Sequence, residues 1–235
     1  MTTHVFVGPT LPAAAFAGVE GAIVHPPVAV GDVLTLLRKR GVTRIAIIDG
    51  YFERMAAVWH KELLHALEKG IAVYGAASMG ALRAAELHAF GMVGVGAIFA
   101  AYKRGALVAD DEVAVAHLPA EYGYRATSDA LVNLRDGLAR APMLSTTTRE
   151  TLVQLARARF YRDRSWHALV ADGRAAGLPR RQLDALAAWP KPDRKAADAR
   201  LLVRALRRSP AKRVSGHRIR VPRTWALRQL ADWLA

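Results

Sequence analysis

Short apolar runs alternate with amphipathic stretches through the first half of the chain. The clearest run lies at residues 44–50, and its near-continuous apolar character predicts a strand that is covered on both faces, as in a parallel sheet. Shorter runs at 4–7, 22–24 and 71–74 predict further strands. Because turns or helical patterns separate these runs, we predict an α/β fold with a small parallel, Rossmann-like sheet flanked by helices.

Helical periodicity fills most of the remaining sequence. Gly70 and Gly91 follow two of the expected helices, and glycine is favoured where a helix ends. The segments expected in helices are 32–37, a stretch from between 52 and 58 to 69, 81–89, 97–105, 193–206 and a short C-terminal stretch. Residues 113–115 predict a late strand, and the arginine-rich residues 209–222 predict a loop.

The second half of the chain is strongly basic. Residues 1–120 hold 10 Lys or Arg and 10 Asp or Glu, whereas residues 121–235 hold 24 and 10, which accounts for the whole net charge of +14. We therefore predict a core domain at 1–125 and a basic, mainly helical region at 126–235 packed on it. The excess charge indicates an acidic partner or, equally, a solvated arginine-rich surface. Poor aromatic interleaving and the lack of a helix-turn-helix pattern disfavour nucleic acid as that partner.

The composition narrows the chemistry that the chain can perform. It contains no cysteine, which excludes disulfides, thiolate metal sites and a cysteine nucleophile. Any sulfur chemistry must then use sulfur that another molecule brings. The N-terminal residues lack the pattern of a secretion signal, and no uninterrupted run of about 18 apolar residues is present. We therefore expect a cytoplasmic protein without a membrane span.

The sharpest local feature is a strand-to-helix turn with the sequence GAASMG at residues 75–80. Ser78 lies between the small residues Ala76 and Gly80, and such flanks let a strand bend sharply and expose a serine at the sheet edge, as in a nucleophile elbow. The amide of Met79 is then placed to stabilise an oxyanion. Serine is also a favoured helix N-cap. A phosphate-cradling loop is a third interpretation, although neither a Gly-Lys-Ser/Thr ending nor a complete GxGxxG is present.

A serine nucleophile needs a general base and usually a carboxylate that orients it. His60 is expected in the first turn of its helix and His117 follows the predicted late strand, so both are placed near the carboxyl edge of the sheet. Asp49 ends the clearest strand at the same edge. The candidate catalytic residues are therefore Ser78, His60, His117 and Asp49. Each also has a structural interpretation, as a surface or hydrogen-bonded histidine, an N-cap or a turn residue.

Asp110, Asp111 and Glu112 have the oxygen chemistry that a hard cation prefers. No other clustered oxygen ligands accompany them in the sequence. We interpret the three residues as a solvated turn or as a patch that meets a basic partner. We predict neither a metal nor a cofactor.

Three blocks of sequence resemble the TfuA-like family. They are DGYF at 49–52 with WHKEL at 59–63, GAASMGALRAAEL at 75–87, and FGMVGVG at 90–96 with DDEVAVAH at 110–117. The resemblance is dense over residues 45–125 and thin over the basic tail. The run SMGALRAAEL is long and specific.

The resemblance implies a role in the backbone thioamidation of ribosomal peptides or proteins. TfuA-like proteins accompany YcaO-type enzymes, which use ATP to activate a peptide amide oxygen and replace it with sulfur. The TfuA-like partner is implicated in releasing sulfide from the thiocarboxylated C-terminus of a ThiS-like ubiquitin-fold carrier. The resemblance thus implies a thiocarboxylate hydrolase whose partners are a YcaO-type enzyme, the carrier and a precursor peptide. The alternative is a non-catalytic adaptor that docks YcaO with the carrier or the precursor peptide.

Hydrolysis of a thiocarboxylate is an acyl transfer, so it requires a nucleophile or an activated water, a general base and an oxyanion site. The expected substrate contacts are Gly75, Met79, Gly80, Lys61, Arg83 and Glu62. Among them, Lys61 or Arg83 is expected to hold the anionic terminal group of the carrier.

Overall fold

The computed structural model describes residues 1–52, 55–210 and 220–234. The chain divides into two compact units, one formed by residues 1–108 together with 196–235 and the other by residues 109–195. The division predicted from the sequence, with a core domain ending at residue 125, stays a prediction.

The described part of the first unit contains a five-stranded sheet in which all strands run parallel. The strands are β1 (Thr2–Phe6), β2 (Ala22–His25), β3 (Val42–Ile47), β4 (Ala72–Ala76) and β5 (Val93–Val95). Their order across the sheet is β2-β1-β3-β4-β5, a doubly wound order that reverses between β1 and β3. The predicted α/β class with a parallel sheet flanked by helices is confirmed, whereas the separate basic C-terminal region is not.

Ten α-helices lie in the described residues, and most predicted helices are found with boundaries shifted by a few residues. The first unit contains α1 (Asp32–Leu36), α2 (His60–Glu68), α3 (Met79–Leu87), α4 (Ala97–Lys103), most of α9 (Arg194–Arg208) and α10 (Trp225–Trp233). The second unit contains α5 (Leu131–Arg140), α6 (Thr146–Ala158), α7 (Trp166–Ala175) and α8 (Arg180–Ala188). No helix in these ranges is long and apolar enough to cross a membrane. Most of the loop predicted at 209–222 lies outside the described residues.

The sheet has an apolar cluster on each face. Ile45 and Ile47 of β3 pack with the inward sides of α1, α2, α3 and α10, whereas Ala46 packs with α9 on the opposite face. All six residues of β3 are buried. The near-continuous apolar run of this strand is therefore explained by the cover on both faces.

One sequence prediction in the region after α3 was wrong. Residues 113–115 do not form a strand but follow a short 3-10 helix, Asp110–Glu112. Val113 and Ala114 are buried all the same, so their apolar pattern reflected burial rather than strand pairing. The segment around Gly94, for which the sequence predicted no strand, forms β5 and pairs with β4. Gly94 leaves room for the ring of Phe99, because a Cβ there would lie 2.1 Å from a ring carbon.

His4 of β1 and His25 of β2 form a stacked pair on one face of the sheet. The two rings have centroids 5.0 Å apart, and His4 Nδ1 lies 2.8 Å from His25 Nε2. Burial lowers the pKa of His4 to about 4, and the charges of His25 and Lys39 act in the same direction. Burial also lowers the pKa of His25, with Lys39 adding to the effect and Asp32 opposing it. The folded state therefore favours a neutral ring at both positions.

We expect the free energy of unfolding to fall as the pH is lowered from 6.5, the ordinary pKa of histidine, to about 4. Across this interval the unfolded chain binds protons that folded His4 excludes, so acid favours unfolding. The loss attributable to His4 is at most about 3 kcal/mol, and the contribution is fully present above pH 6.5. Urea unfolding at a series of pH values measures it.

The matched variants are His4→Gln and, as a control, His88→Gln at an exposed histidine of the same unit. His4→Gln is expected to flatten the pH dependence, whereas His88→Gln is expected to leave it unchanged. Equal pH dependence in the wild type and His4→Gln would contradict this account.

Candidate functional site

The turn between β4 and α3 has a strained backbone. Ala77 has a φ of 65°, in the left-handed region that residues with a side chain rarely adopt. The amide of Ser78 donates a hydrogen bond to the carbonyl of Ala76 at 2.8 Å, which closes a three-residue turn around Ala77. Strain of this kind costs about 1–3 kcal/mol and often lies at functional sites. The sequence prediction of a sharp strand-to-helix turn here is confirmed.

Ser78 caps α3 but is only 3% exposed. Its carbonyl accepts hydrogen bonds from the amides of Ala81 and Leu82 in the first turn of the helix. No structural observation tests its assignment as a nucleophile, which stays a prediction. Its burial means that a substrate could reach the hydroxyl only after the surrounding residues moved.

The residues beside Ser78 pack the helix against the sheet. A Cβ on Gly80 would lie 1.8 Å from the carbonyl oxygen of Ile47, and a Cβ on Gly75 would lie 2.0 Å from the carbonyl oxygen of Gly80. Met79 belongs to the apolar cluster beneath α3. These contacts give Gly75, Met79 and Gly80 a structural role, and their predicted substrate contacts stay predictions.

Asp49 lies at the carboxyl edge of the sheet, where the strand order reverses. Its buried carboxylate accepts hydrogen bonds from the amide of Gly8 at 2.9 Å, the amide of Thr10 at 3.0 Å and the hydroxyl of Thr10 at 2.6 Å. Doubly wound folds often bind ligands at this position. Here the donors of the loop after β1 are occupied by a carboxylate of the chain itself, which gives Asp49 a structural role.

An open pocket of about 570 Å³ lies where α2 begins. Charged residues come to it from α2 and α3, and the start of α10 forms part of its wall. The lining residues are Ala56, Ala57, Val58, Trp59, His60, Lys61, Arg83, Thr224 and Ala226. All of them belong to the first unit.

His60, Glu86 and Arg83 form a hydrogen-bonded cluster at this pocket. His60 Nε2 lies 2.8 Å from Glu86 Oε2, and Arg83 donates to the same oxygen at 2.7 Å and to the carbonyl of Val58 at 3.2 Å. A carboxylate only accepts hydrogen bonds, so Nε2 of a neutral His60 carries the hydrogen and Nδ1 is the basic nitrogen. The structure thus pairs one of the two predicted catalytic histidines with a carboxylate.

The charge of Glu86 is stabilised by its neighbours. Burial acts to raise the pKa of Glu86, but hydrogen bonds from His60 and Arg83, together with the charge of Arg83, outweigh it and lower the pKa. Glu86 is therefore a carboxylate at neutral pH. With Lys61 and Arg83 counted as cations, these three side chains leave a net charge of +1 beside the pocket.

Lys61 and Glu62 follow His60 in α2, but Lys61 lines the pocket whereas Glu62 is buried in the core. The ammonium of Lys61 donates to the hydroxyl of Thr224 at 3.0 Å, within the pocket wall. Glu62 is fully buried and accepts hydrogen bonds from the amides of Gly31, Leu34 and Trp59. Lys61 therefore lies where an anion can reach it, whereas Glu62 holds the backbone and its predicted substrate contact stays a prediction.

His117 belongs to the second unit and to a different local structure. It forms a β-bridge with Ala126, its Nδ1 lies 2.8 Å from the carbonyl of Leu118, and its ring packs edge-on against Tyr124. The bridge and the ring packing are a structural role, and the predicted role of His117 as a base stays a prediction.

Two of the three acidic residues at 110–112 form ion pairs within the second unit. Glu112 binds Arg135 through two hydrogen bonds of 2.9 and 2.8 Å, and Asp111 pairs with the buried Arg164 at 2.6 Å. Within the described ranges, no group of three or more His, Asp or Glu side chains is placed to hold a metal ion.

Sequence reasoning did not assign a role to Glu86 or to the wall that α10 provides. Glu86 lies three residues after Arg83, a spacing that places two side chains on one face of a helix, and this was the available signal. The pairing of Glu86 with His60 joins two different helices. Thr224 lies 163 residues after Lys61, and no local pattern connects them.

Two glutamate substitutions should separate the structural carboxylate from the pocket carboxylate. In Glu62→Gln at least one of the three backbone amides would face an NH₂ group, so we expect a loss of about 1–3 kcal/mol in the free energy of unfolding. Glu86 is partly exposed, and Glu86→Gln is expected to cost less than about 1 kcal/mol. Urea unfolding at neutral pH measures both, and equal losses would contradict this assignment.

Comparison with known protein families gives a match over the middle of the chain. The family described as TfuA-like protein matches residues 49–165, about half of the chain. The matched segment contains His60, Lys61, Arg83 and Glu86, whereas Thr224 lies outside it. A search among curated proteins found no match. This match shows that the chain belongs to the TfuA-like family.

Proposed function

We propose that this protein releases sulfide from the thiocarboxylated C-terminus of a ThiS-like ubiquitin-fold carrier and thereby supports a YcaO-type enzyme in peptide backbone thioamidation. One observation carries the catalytic part of the proposal. His60 and Glu86 are 2.8 Å apart at an open pocket that also contains Lys61 and Arg83. The pathway is what membership of the TfuA-like family implies.

The reaction is a hydrolysis and needs no oxidant. A water oxygen forms a bond to the carbonyl carbon of the thiocarboxylate, and the carbon–sulfur bond breaks. The products are a carboxylate, hydrosulfide and a proton. His60 accepts a proton from the attacking water at Nδ1 and can return it to the departing sulfur. Glu86 holds the ring through Nε2 and stabilises the imidazolium that forms in between.

The cations of the pocket fit a substrate that ends in an anion. Lys61 donates to a neutral hydroxyl, so its charge is not compensated by that contact. Arg83 binds Glu86 through Nη1 and Val58 through Nε, and a guanidinium has further donors available for a ligand. Both cations can therefore bind the thiocarboxylate, and Arg83 can also stabilise the negative charge that develops on its oxygen.

The geometry favours water over Ser78 as the nucleophile. Ser78 is buried and does not belong to the described lining of the pocket, whereas His60 does. The strained turn at Ala77 then serves to direct α3, which carries Arg83 and Glu86. Covalent attack by Ser78 is the competing mechanism, and the activity of the variant Ser78→Ala distinguishes the two mechanisms.

Replacement of His60 should abolish most sulfide release. We expect His60→Gln to lower kcat by about 10²-fold or more, because the proton acceptor is lost. The variant His88→Gln, an exposed histidine that does not line the pocket in the described structure, is the matched control and should retain activity. Sulfide release from the thiocarboxylated carrier measures both, and Ser78→Ala is expected to remain active if it folds.

Three outcomes would contradict the proposal in different ways. Full activity of His60→Gln would remove His60 from the chemistry. Loss of activity in a folded Ser78→Ala would assign the attack to Ser78. If the wild type releases no sulfide but thioamidation by the YcaO-type enzyme still requires it, the protein is an adaptor and not a hydrolase.

Removal of the Lys61 charge should weaken binding more than catalysis. We expect Lys61→Met to raise KM for the thiocarboxylated carrier by about tenfold at low salt and to change kcat little, because the lost contact is made with the bound anion. The difference from the wild type should shrink as salt is added. Lys103→Met, at the exposed end of α4, is the matched control. An unchanged KM in Lys61→Met would place the anion elsewhere.

A further inference from the structure

The outward side of α10 exposes two large aromatic side chains. Trp225 is 71% exposed and Trp233 is 79% exposed. They are eight residues apart, a little over two helical turns, so they lie about 12 Å apart along the helix axis on neighbouring parts of its surface. Tryptophan is large and apolar, and a pair of exposed tryptophans on one helix indicates a surface that binds another molecule.

The fold itself uses the opposite side of this helix. Leu227, Leu230 and Leu234 pack against the cluster formed by α1, α2 and the sheet. The guanidinium of Arg38 donates to the carbonyls of Ala231 and Leu234 at the end of the helix. The tryptophans therefore lie on a helix that is already anchored, and their exposure is not required to attach α10.

The first of the two exposed tryptophans adjoins the pocket. Trp225 stands between Thr224 and Ala226, and both of these neighbours line the pocket. Lys61 binds the hydroxyl of Thr224, which fixes the start of α10 beside the cations of the site. A molecule that inserts a tail into the pocket therefore has the outward side of α10 next to the point of entry.

The charges around this helix favour an acidic partner. In the described segment 220–234, Arg220, Arg223 and Arg228 are exposed and Asp232 is the acidic residue, which gives a net charge of +2. Tryptophan and arginine are the residues most enriched where a few side chains dominate the affinity of a protein interface. Such a surface complements a folded protein with an acidic face and an apolar patch.

We propose that the α10 face, defined as Trp225, Arg228, Gln229 and Trp233, is the docking surface for the folded body of the carrier whose C-terminal tail enters the pocket. This inference rests on the proposed function, and it assigns the partner to a particular surface. The pocket binds the anionic end of the tail, and the α10 face binds the acidic body from which the tail emerges.

Binding of the intact carrier, compared with that of its tail alone, tests the proposal. The probes are the ThiS-like carrier of the source organism in its ordinary carboxylate form and a synthetic peptide of its C-terminal residues. We expect the double variant Trp225→Ala/Trp233→Ala to raise the Kd for the intact carrier by at least about tenfold and to change the Kd for the peptide little. Tyr122→Ala removes an aromatic side chain that is 68% exposed in the second unit and is the matched control.

The outcomes separate this inference from the proposed hydrolysis. An unchanged Kd for the carrier, or an equal loss for the carrier and the peptide, would overturn docking at α10. A selective loss of binding to the YcaO-type enzyme, with the carrier unaffected, would also overturn it. If the carrier binds through the tryptophans but the wild type releases no sulfide, docking stands and the hydrolase proposal fails. If the double variant releases sulfide from the carrier with the KM of the wild type, the hydrolase proposal stands and docking at α10 fails.

Discussion

The buried carboxylate of Glu62 is the interaction on which the arrangement of the pocket depends. It accepts amide hydrogen bonds from Gly31 and Leu34 at α1 and from Trp59 at the start of α2. A carboxylate without partners would be costly to bury, and burial does raise the pKa of Glu62 against the effect of these bonds. These amides lie at the starts of α1 and α2, so the carboxylate holds the two helix starts together. It thereby fixes the backbone at Trp59, the residue that precedes His60.

A second constraint places α3 beside that histidine. Gly75 and Gly80 let the backbone of the first turn of α3 approach β3 and β4 to distances that any Cβ would prevent. The helix direction set there determines where its second and third turns carry Arg83 and Glu86. The strained Ala77 is thus understood as part of a backbone arrangement that brings charged groups of α3 to the start of α2. Two parallel strand–helix units, β3 with α2 and β4 with α3, therefore supply the charged side chains of the pocket.

The apolar pattern of the sequence predicted the elements that short segments determine, but not the contacts between segments that are distant in sequence. The strands β1, β3 and β4 were predicted because side chains buried on both faces of a sheet form a nearly continuous apolar run in the sequence, and β3 is buried over its whole length. The edge strand β2, which is only partly buried, was predicted from a short apolar run alone. β5 was missed because a three-residue edge strand centred on Gly94 has too few side chains to show alternation. His60 was named from its position near a sheet edge, and Lys61 and Arg83 were named as cations able to bind the anionic end of the carrier. Glu86 and Thr224 enter the site through contacts between elements that are distant in sequence. Asp49 lies at the carboxyl edge of the sheet, as predicted, and its oxygens accept hydrogen bonds from the loop that follows β1. Its catalytic role stays a prediction.

The two cations of the pocket are held in different ways, and the difference connects the site to α10. Arg83 is fixed by Glu86 and by the carbonyl of Val58, so a bound anion would add to contacts that are already made. Lys61 instead donates to the neutral hydroxyl of Thr224, the residue that precedes α10. A thiocarboxylate offers this ammonium a charged acceptor, which is the stronger hydrogen-bond partner. An ammonium has three donors, so in the proposed reaction Lys61 can bind the tail of the carrier while it still holds Thr224, and the pocket and the start of α10 share this side chain.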